Sequence, residues 1–273
     1  MNHRYISLFL FLSSFLFVEA ALSKTLLVTG SNRGMGLEFV SQYAEKGWNV
    51  IATSRSPSDD NDLINLAKAN PNIQIEKMDV TNVSEILSLA EKYKDQSIDL
   101  LINNAGMSGD RANQAWGQID KNEFEKLMSI NAFGALKVSE AFSRNISMSE
   151  EKKIVAISSV AGSISSMGRP SSLPILSISK AALNMAMKTI ALRLKDDGVT
   201  VILMNPGAVD TRALRQAFGL SLEEAEKATN FDYKGYPTVS AEEGVKRMIR
   251  VIETVDYSQS GSFLNHDGKE LPW

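Results

Sequence analysis

The chain has 273 residues, of which 44% are apolar, and its formal charge is −3. This composition can form one large hydrophobic core, and it contains no basic run of the kind that binds nucleic acid. There are no cysteines, and the two histidines, His3 and His266, lie at opposite ends. Disulfides, thiolate metal sites and a cysteine nucleophile are therefore excluded, and neither a metal centre nor a Ser-His-Asp triad is expected.

Residues 1–20 resemble a secretory signal peptide. Arg4 precedes an apolar run from Ile6 to Val18, and Val18-Glu19-Ala20 fits a small-x-small cleavage site. The run is shorter than the roughly 17–25 residues that span a bilayer, so we expect no stable membrane span. The predicted organisation is a leader over 1–20 and one domain over 21–273. A functional leader would direct the protein to the ER lumen, the periplasm or the exterior; if the start is misassigned, the protein would be cytoplasmic.

After the leader, short apolar runs alternate with helical patterns. The predicted strands are 25–30, 49–55, 72–80, 98–106, 152–159, 199–207 and 261–268, and the predicted helices are 36–47, 62–70, 83–93, 122–146, 174–195 and 240–255. Strands joined by helices indicate right-handed crossovers, which predict an α/β fold with a doubly wound, mostly parallel seven-stranded sheet and helices on both faces. Ligands of such sheets bind beyond the carboxyl ends of the strands, so the loops there are informative.

The loop TGSNRGMG at 29–36 follows the first strand and opens the first helix. Gly30, Gly34 and Gly36 would let the backbone turn tightly and approach a pyrophosphate, which would then lie at a helix N-terminus. A glycine-rich loop can also be a plain turn. The strand-loop-helix context favours dinucleotide binding.

The end of the second strand favours a phosphorylated cofactor. An NAD-binding fold usually has an acidic residue there, but this chain has Ser54 and Arg55, and Arg33 lies in the glycine loop. Guanidinium groups suit a 2′-phosphate, so we expect NADP(H) rather than NAD(H). Two ordinary surface arginines are the alternative.

Two polar residues stand out on predicted helices. Asn131 lies mid-helix, where asparagine is a poor helix former, which indicates a specific hydrogen-bonding role. Lys180 lies in a run of apolar and small residues. It either extends its amine to solvent or is a buried cation that needs anionic or hydroxyl partners.

In chain order, the motifs TGxxxGxG, DV at 79–80, NNAG at 103–106, a helical Asn, SSxxGS at 158–163, SK at 179–180 and NPGxxxT at 205–211 resemble the short-chain dehydrogenase/reductase family. The resemblance extends over about residues 24–270. The ending GSFLNHDGKELPW and the helix with SKAALNMA are similar to the C-factor and sniffer-type carbonyl reductase branch.

This resemblance implies a single-domain Rossmann fold that uses a nicotinamide cofactor, NADP(H), on a small carbonyl or alcohol substrate. Asn131, Ser159 and Lys180 match three members of the family's catalytic tetrad, and the cofactor ribose would give Lys180 a partner. Members often form homodimers or homotetramers through long helices. The residues that match the family's cofactor site are Gly30, Asn32, Arg33, Gly34, Met35, Gly36, Arg55, Asp79, Val80, Asn103, Ala105, Gly106, Lys180, Pro206, Gly207, Val209 and Thr211.

The fourth tetrad member, a tyrosine four residues before the lysine, is replaced by Leu176. Leucine can neither donate nor accept a proton. Tyr233 or Tyr236, from the segment after the sixth strand, could enter the cleft instead, or a water held by Ser159 and Lys180 could supply the proton. The sequence therefore leaves two hypotheses: an NADP(H)-dependent oxidoreductase impaired by this loss, and a non-catalytic NADP(H)-binding pseudoenzyme that acts as a sensor or interaction module.

Overall fold

The computed structural model describes residues 23–228 and 231–273, so the predicted leader at 1–20 lies outside it. Seven strands form one sheet in the order β3-β2-β1-β4-β5-β6-β7, and each neighbouring pair of strands is parallel. The predicted single-domain, seven-stranded fold is confirmed. The strands are β1 (Thr25–Thr29), β2 (Asn49–Ser54), β3 (Ile73–Lys77), β4 (Leu100–Asn103), β5 (Lys153–Ile157), β6 (Thr200–Asn205) and β7 (Phe263–Asn265).

Helices connect these strands and cover both faces of the sheet. They are α1 (Gly34–Glu45), α2 (Asn61–Ala69), α3 (Val83–Lys92), α4 (Lys121–Met128), α5 (Ala135–Ala141), α6 (Ser143–Ser147), α7 (Pro174–Arg193), α8 (Arg212–Ala217), α9 (Leu222–Lys227) and α10 (Ala241–Thr254). Strand β1 pairs with β2 on one side and β4 on the other. The connections after β1 and β4 therefore diverge, and this divergence opens a cleft at the carboxyl edge.

The core has two layers because successive side chains of a strand point to opposite faces. Leu26 and Val28 of β1 pack in a cluster with side chains of α1, α2 and α10, whereas Leu27 packs with side chains of α3, α5 and α7. All three are completely buried. Each such side chain contributes about 1.5–3 kcal/mol by leaving water, so the two layers hold the strand ends, and with them the loops of the cleft, in place.

One described helix, α7, is long and apolar enough by composition to cross a membrane. Half of its apolar window is buried inside the protein, and Leu183 and Met187 pack in the core against the sheet. These contacts identify α7 as a core helix of the fold.

The predicted continuous helix over 122–146 is wrong in one respect, since it is interrupted. A π-helical turn, Ser129–Gly134, separates α4 from α5, and a second break separates α5 from α6. Gly134 packs so closely on Val80 that an added Cβ would lie 2.9 Å from the valine Cβ. Single π turns inside α-helices are frequent at functional sites, and this one contains Asn131.

Candidate active site

The glycine-rich loop takes the close-packed form that its sequence predicts. Gly30 and Gly34 have φ angles of +67° and +53°, a region that glycine enters without strain. A Cβ on Gly36 would overlap the carbonyl oxygen of Gly30. The loop therefore keeps its backbone exposed to the cleft at the start of α1, where unpaired N–H groups can bind an anion.

A polar bridge ties this loop to the loop after β4. The Thr29 hydroxyl accepts hydrogen bonds from the backbone N–H groups of Asn104 and Ala105, each at 3.0 Å. The Asn104 side chain donates to the carbonyl oxygens of Thr29 and Gly30, also at 3.0 Å. Thr29 and Asn104 belong to the sequence motifs, which indicate no role for them, and in the structure they position two predicted cofactor residues, Gly30 and Ala105.

Asn131 connects the loop after β4 to α7. It is 1% exposed, and its Oδ1 accepts from the Met107 N–H at 2.9 Å. Its Nδ2 donates to the Met107 carbonyl and to the Ser179 hydroxyl, each at 2.9 Å. The Ser179 hydroxyl in turn donates to the Leu176 carbonyl at 2.8 Å. Asn131 thus fixes the first turns of α7 against the cleft, and Ser179 is a positioning residue that the sequence reasoning missed.

Of the two alternatives predicted for Lys180, the structure shows the buried cation. It is 9% exposed, and its Nζ donates to the Ile157 carbonyl at the end of β5 at 2.8 Å. Burial lowers the pKa of Lys180 to about 8, and no acidic group in the described residues offsets this effect. A Cβ on Gly106 would lie 3.6 Å from that Nζ and 3.2 Å from Oδ1 of Asn131. Gly106 therefore keeps the space beside the amine open.

Leu176 is half-buried one helical turn before Lys180. Its backbone N–H donates to Oε1 of Gln114 at 2.9 Å, and Gln114 is completely buried. Ser159 follows β5, is partly exposed, and its Oγ accepts from the Ala161 N–H at 3.1 Å. The hydroxyl proton of Ser159 is not used in that bond, so it can be donated to a substrate oxygen.

The two tyrosines predicted as alternative proton donors contact residues of their own segment. The Tyr233 hydroxyl donates to Oδ1 of Asp210 at 2.5 Å, and Nε of Arg215 donates to the same oxygen at 2.7 Å. Burial, followed by the bond to Asp210, raises the pKa of Tyr233 to about 12. Tyr236 is 55% exposed and packs on Phe218 with ring centroids 5.5 Å apart. Tyr233 therefore holds its own segment together.

The predicted adenine-side residues, Asp79 and Val80, lie in the loop after β3, and Asn103, predicted for the cofactor floor, is the last residue of β4. Asp79 accepts from the backbone N–H and the hydroxyl of Thr81, at 2.8 and 2.7 Å, and Val80 is 8% exposed. The side chain of Asn103 turns towards α5, where it donates to the Ser139 hydroxyl at 2.9 Å. These hydrogen bonds fix the backbone conformation around Asp79 and the orientation of the Asn103 side chain.

The predicted nicotinamide-side residues follow β6. Pro206 and Gly207 begin this connection, and Gly207 has a φ of +73°. Val209 is buried, and the hydroxyl of Thr211 caps α8 by accepting from the Leu214 N–H at 3.3 Å. A Cβ on Gly34 would lie 3.5 Å from Thr211, so this connection approaches the glycine loop across the cleft.

The two arginines for which the sequence predicts a 2′-phosphate lie in the glycine loop and directly after β2. Arg33 forms an ion pair with Glu226 of α9, and Arg55 is exposed just after β2. Asp60, which the sequence reasoning missed, accepts from the Asn32 amide at 3.0 Å and from the Ser54 hydroxyl. The remaining residue of the predicted loop, Met35, packs against the core layer of α1.

The family model described as short chain dehydrogenase matches residues 24–219, and the chain belongs to this family. A short chain dehydrogenase of Penicillium aethiopicum, gsfK, is 33% identical over 257 residues, which cover 91% of this chain and 99% of the relative. C-signal of Myxococcus xanthus is 30% identical over 177 residues, covering 64% and 93%.

Among solved structures, the NADPH-bound carbonyl reductase from chicken fatty liver is 29% identical and superposes with a TM-score of 0.79. The match covers 92% of this chain and 99% of that structure. The predicted family and its Rossmann fold are confirmed.

Proposed function

We propose that this protein is an NADP(H)-dependent oxidoreductase that transfers a hydride between the nicotinamide and a small carbonyl or alcohol substrate. The observation that carries the proposal is the burial of the Lys180 amine with a single hydrogen-bond partner in the part of the chain that the structure describes. A lysine amine is buried at the carboxyl edge of a parallel sheet, beside Gly106, and its one hydrogen-bond partner among the described residues is the carbonyl of Ile157. Ammonium groups have three donors, so ribose hydroxyls suit the others.

The residues around the cleft fit NADP(H). Gly30 and Gly36 leave the backbone open at the start of α1 for a pyrophosphate. Arg33 and Arg55 suit a 2′-phosphate, since guanidinium groups bind phosphate through charge-assisted hydrogen bonds. The turn at Asp79 would hold the adenine, and the connection 206–211 would lie along the nicotinamide. The chicken relative is NADPH-bound by its title, which supports this choice of cofactor.

When bound, the cofactor would supply or accept the hydride. Ser159 would donate a hydrogen bond from its hydroxyl to the substrate oxygen and so favour negative charge there. Lys180 would bind the ribose and, with a pKa of about 8, would stay largely protonated near neutral pH. Asn131 uses both amide protons in bonds to Met107 and Ser179, so it acts as a positioning residue. The proton would reach the substrate through a water between Ser159 and Lys180.

Non-catalytic NADP(H) binding is the second candidate, and one observation favours it. Leu176 stands where this family's proton donor would be, and the phenol of Tyr233 is bonded to Asp210 instead. A protein that keeps its cofactor-binding residues but lacks the catalytic proton donor could serve as a sensor or interaction module. The leucine removes a group that typically contributes about 10²–10⁴-fold to such reactions.

Two measurements on the purified protein separate these candidates. Calorimetric titration with NADPH measures binding, and NADPH oxidation against a panel of reactive aldehydes and quinones measures turnover. Binding with turnover supports the oxidoreductase. Binding without turnover on any substrate of the panel supports the second candidate, and a folded protein that binds no NADPH contradicts both.

A further inference from the structure

A carboxylate from the segment after β6 joins two arginines at the adenosine end of the cleft. Nη1 of Arg33, in the glycine loop, donates to Oε1 of Glu226 on α9. Nη1 of Arg212, the first residue of α8, lies 3.8 Å from the same oxygen. One carboxylate oxygen therefore links the glycine loop to both short helices of this segment.

A third arginine adds to the positive charge at this point. The pKa of Arg212 is lowered by burial first and then by the nearby charge of Arg33, while Glu226 raises it and Arg55 lowers it further. Arg33 and Arg55 are thus both close enough to Arg212 to repel its charge, and Glu226, which pairs with Arg33 and Arg212, offsets one of the three charges. Asp60, a second carboxylate at this edge, bonds to other partners.

The surplus of positive charge matches a phosphate better than a carboxylate. A phosphate monoester carries about −1.5 to −2 charges near neutral pH and has three strong acceptor oxygens, whereas a carboxylate carries one charge and two oxygens. Planar guanidinium groups bind either anion in the same way, so the two compete for the same donors. Glu226 uses donors of Arg33 and Arg212 that could equally bind a phosphate.

We propose that Arg212 is a third residue that binds the 2′-phosphate of NADP(H), beside Arg33 and Arg55, and that Glu226 holds this phosphate site until the cofactor displaces it. The inference rests on the proposed binding of NADP(H). It assigns Arg212 to cofactor specificity, a role outside the residues that match the family motifs. NAD(H) lacks the phosphate and cannot displace Glu226, so selectivity comes partly from competition.

The test compares Glu226→Gln with Glu223→Gln, a matched control on the same helix. Glu223 is exposed and pairs with Lys227, one helical turn further on. Calorimetry measures Kd for NADP⁺ and NAD⁺ on each full-length variant. Removing the competing charge is expected to tighten NADP⁺ binding by about three- to tenfold for Glu226→Gln, with NAD⁺ unchanged within about twofold. The control is expected to match the parent protein for both ligands.

Arg212→Met tests the arginine itself. The loss of one charge-assisted contact is expected to weaken NADP⁺ binding by about tenfold or more and to leave NAD⁺ within about twofold of the parent. Equal weakening of both cofactors would overturn the assignment of Arg212 to the phosphate. Identical NADP⁺ affinities for Glu226→Gln and Glu223→Gln would overturn the role of Glu226. If the parent and all variants fail to bind NADP⁺, the proposed function itself fails.

Discussion

Replacing Leu176 by tyrosine would restore a proton donor to a site that keeps its other polar groups. Leu176 is half-buried and precedes Lys180 by four residues on α7, so the two side chains share a helix face. Its backbone is held by Gln114, and the following turn is held by Ser179 and Asn131. The substitution therefore changes one side chain on a backbone that these hydrogen bonds hold in place.

The size of the effect follows from the charge on Lys180. The Cβ atoms of residues four apart on a helix lie about 5–6 Å apart. If the charged ends keep about the same separation, two unit charges about 6 Å apart interact by about 3 kcal/mol at an effective dielectric constant of about 20. This energy would lower the pKa of a phenol by about two units from its ordinary value of about 10. Because the pKa of Lys180 is about 8, the ammonium is present near neutral pH. General acid catalysis then adds about 10²–10⁴-fold.

The assay is steady-state NADPH oxidation by the parent, Leu176→Tyr and Ile178→Tyr. Ile178 is 48% exposed and lies two residues on, on another face of α7, so its variant controls for an added phenol outside the cleft. We expect kcat to rise by about 100-fold or more for Leu176→Tyr only, with a smaller change in KM. Equal NADPH affinity for all three proteins, with equal rates from about pH 6 to about pH 9, would refute this account of the site.

Three further predictions concern stability and processing. Since the folded-state pKa of Lys180 is about 8 and its unperturbed value is 10.5, the unfolded state binds an extra proton between these values. The destabilising effect of Lys180 should be fully present below about pH 8 and fade as the pH rises towards about 10.5. In urea unfolding, Lys180→Met should therefore be more stable than the parent by up to about 3 kcal/mol near pH 7 and by less than about 1 kcal/mol near pH 10. Gly36→Ala should destabilise the fold by about 1–3 kcal/mol or more because its Cβ meets Gly30, whereas Gly168→Ala, which has open space, should unfold like the parent. On expression through a secretory pathway, N-terminal sequencing should find Ala21 first; an intact Met1 would contradict the predicted leader.

The layout of the fold could be predicted from the sequence because its signals are local. The alternation of apolar runs and helical patterns defined the strands and crossovers, and parallel pairing then placed the strand-end loops on one edge. Glycines at 30, 34 and 36 predicted the close approach seen after β1. The interruption at Ser129–Gly134 could not be predicted in the same way, because one π turn barely changes the helical spacing of apolar residues.

The partners of the site residues could not be predicted because they come from distant parts of the chain. Gln114 reaches Leu176 across 62 positions, and Asn131 reaches Ser179 across 48. Glu226 meets Arg33 across 193 positions. No local pattern distinguishes these polar residues from exposed ones, since their burial is set by how the helices pack. A glutamine in a connecting segment, such as Gln114, carries no signal of being completely buried.

Lys180, which favours cofactor binding, and position 176, which determines proton transfer, lie one helical turn apart on α7. Burial of the Lys180 amine costs free energy, and the carbonyl of Ile157 offsets only part of that cost. A ligand that accepts hydrogen bonds from the amine recovers more of it, so the lysine favours binding whatever side chain stands at position 176. Leu176 makes the adjacent wall apolar, and the lower local dielectric strengthens that electrostatic contact. Affinity for the cofactor and the rate of turnover therefore depend on different side chains, and the loss of one does not require the loss of the other.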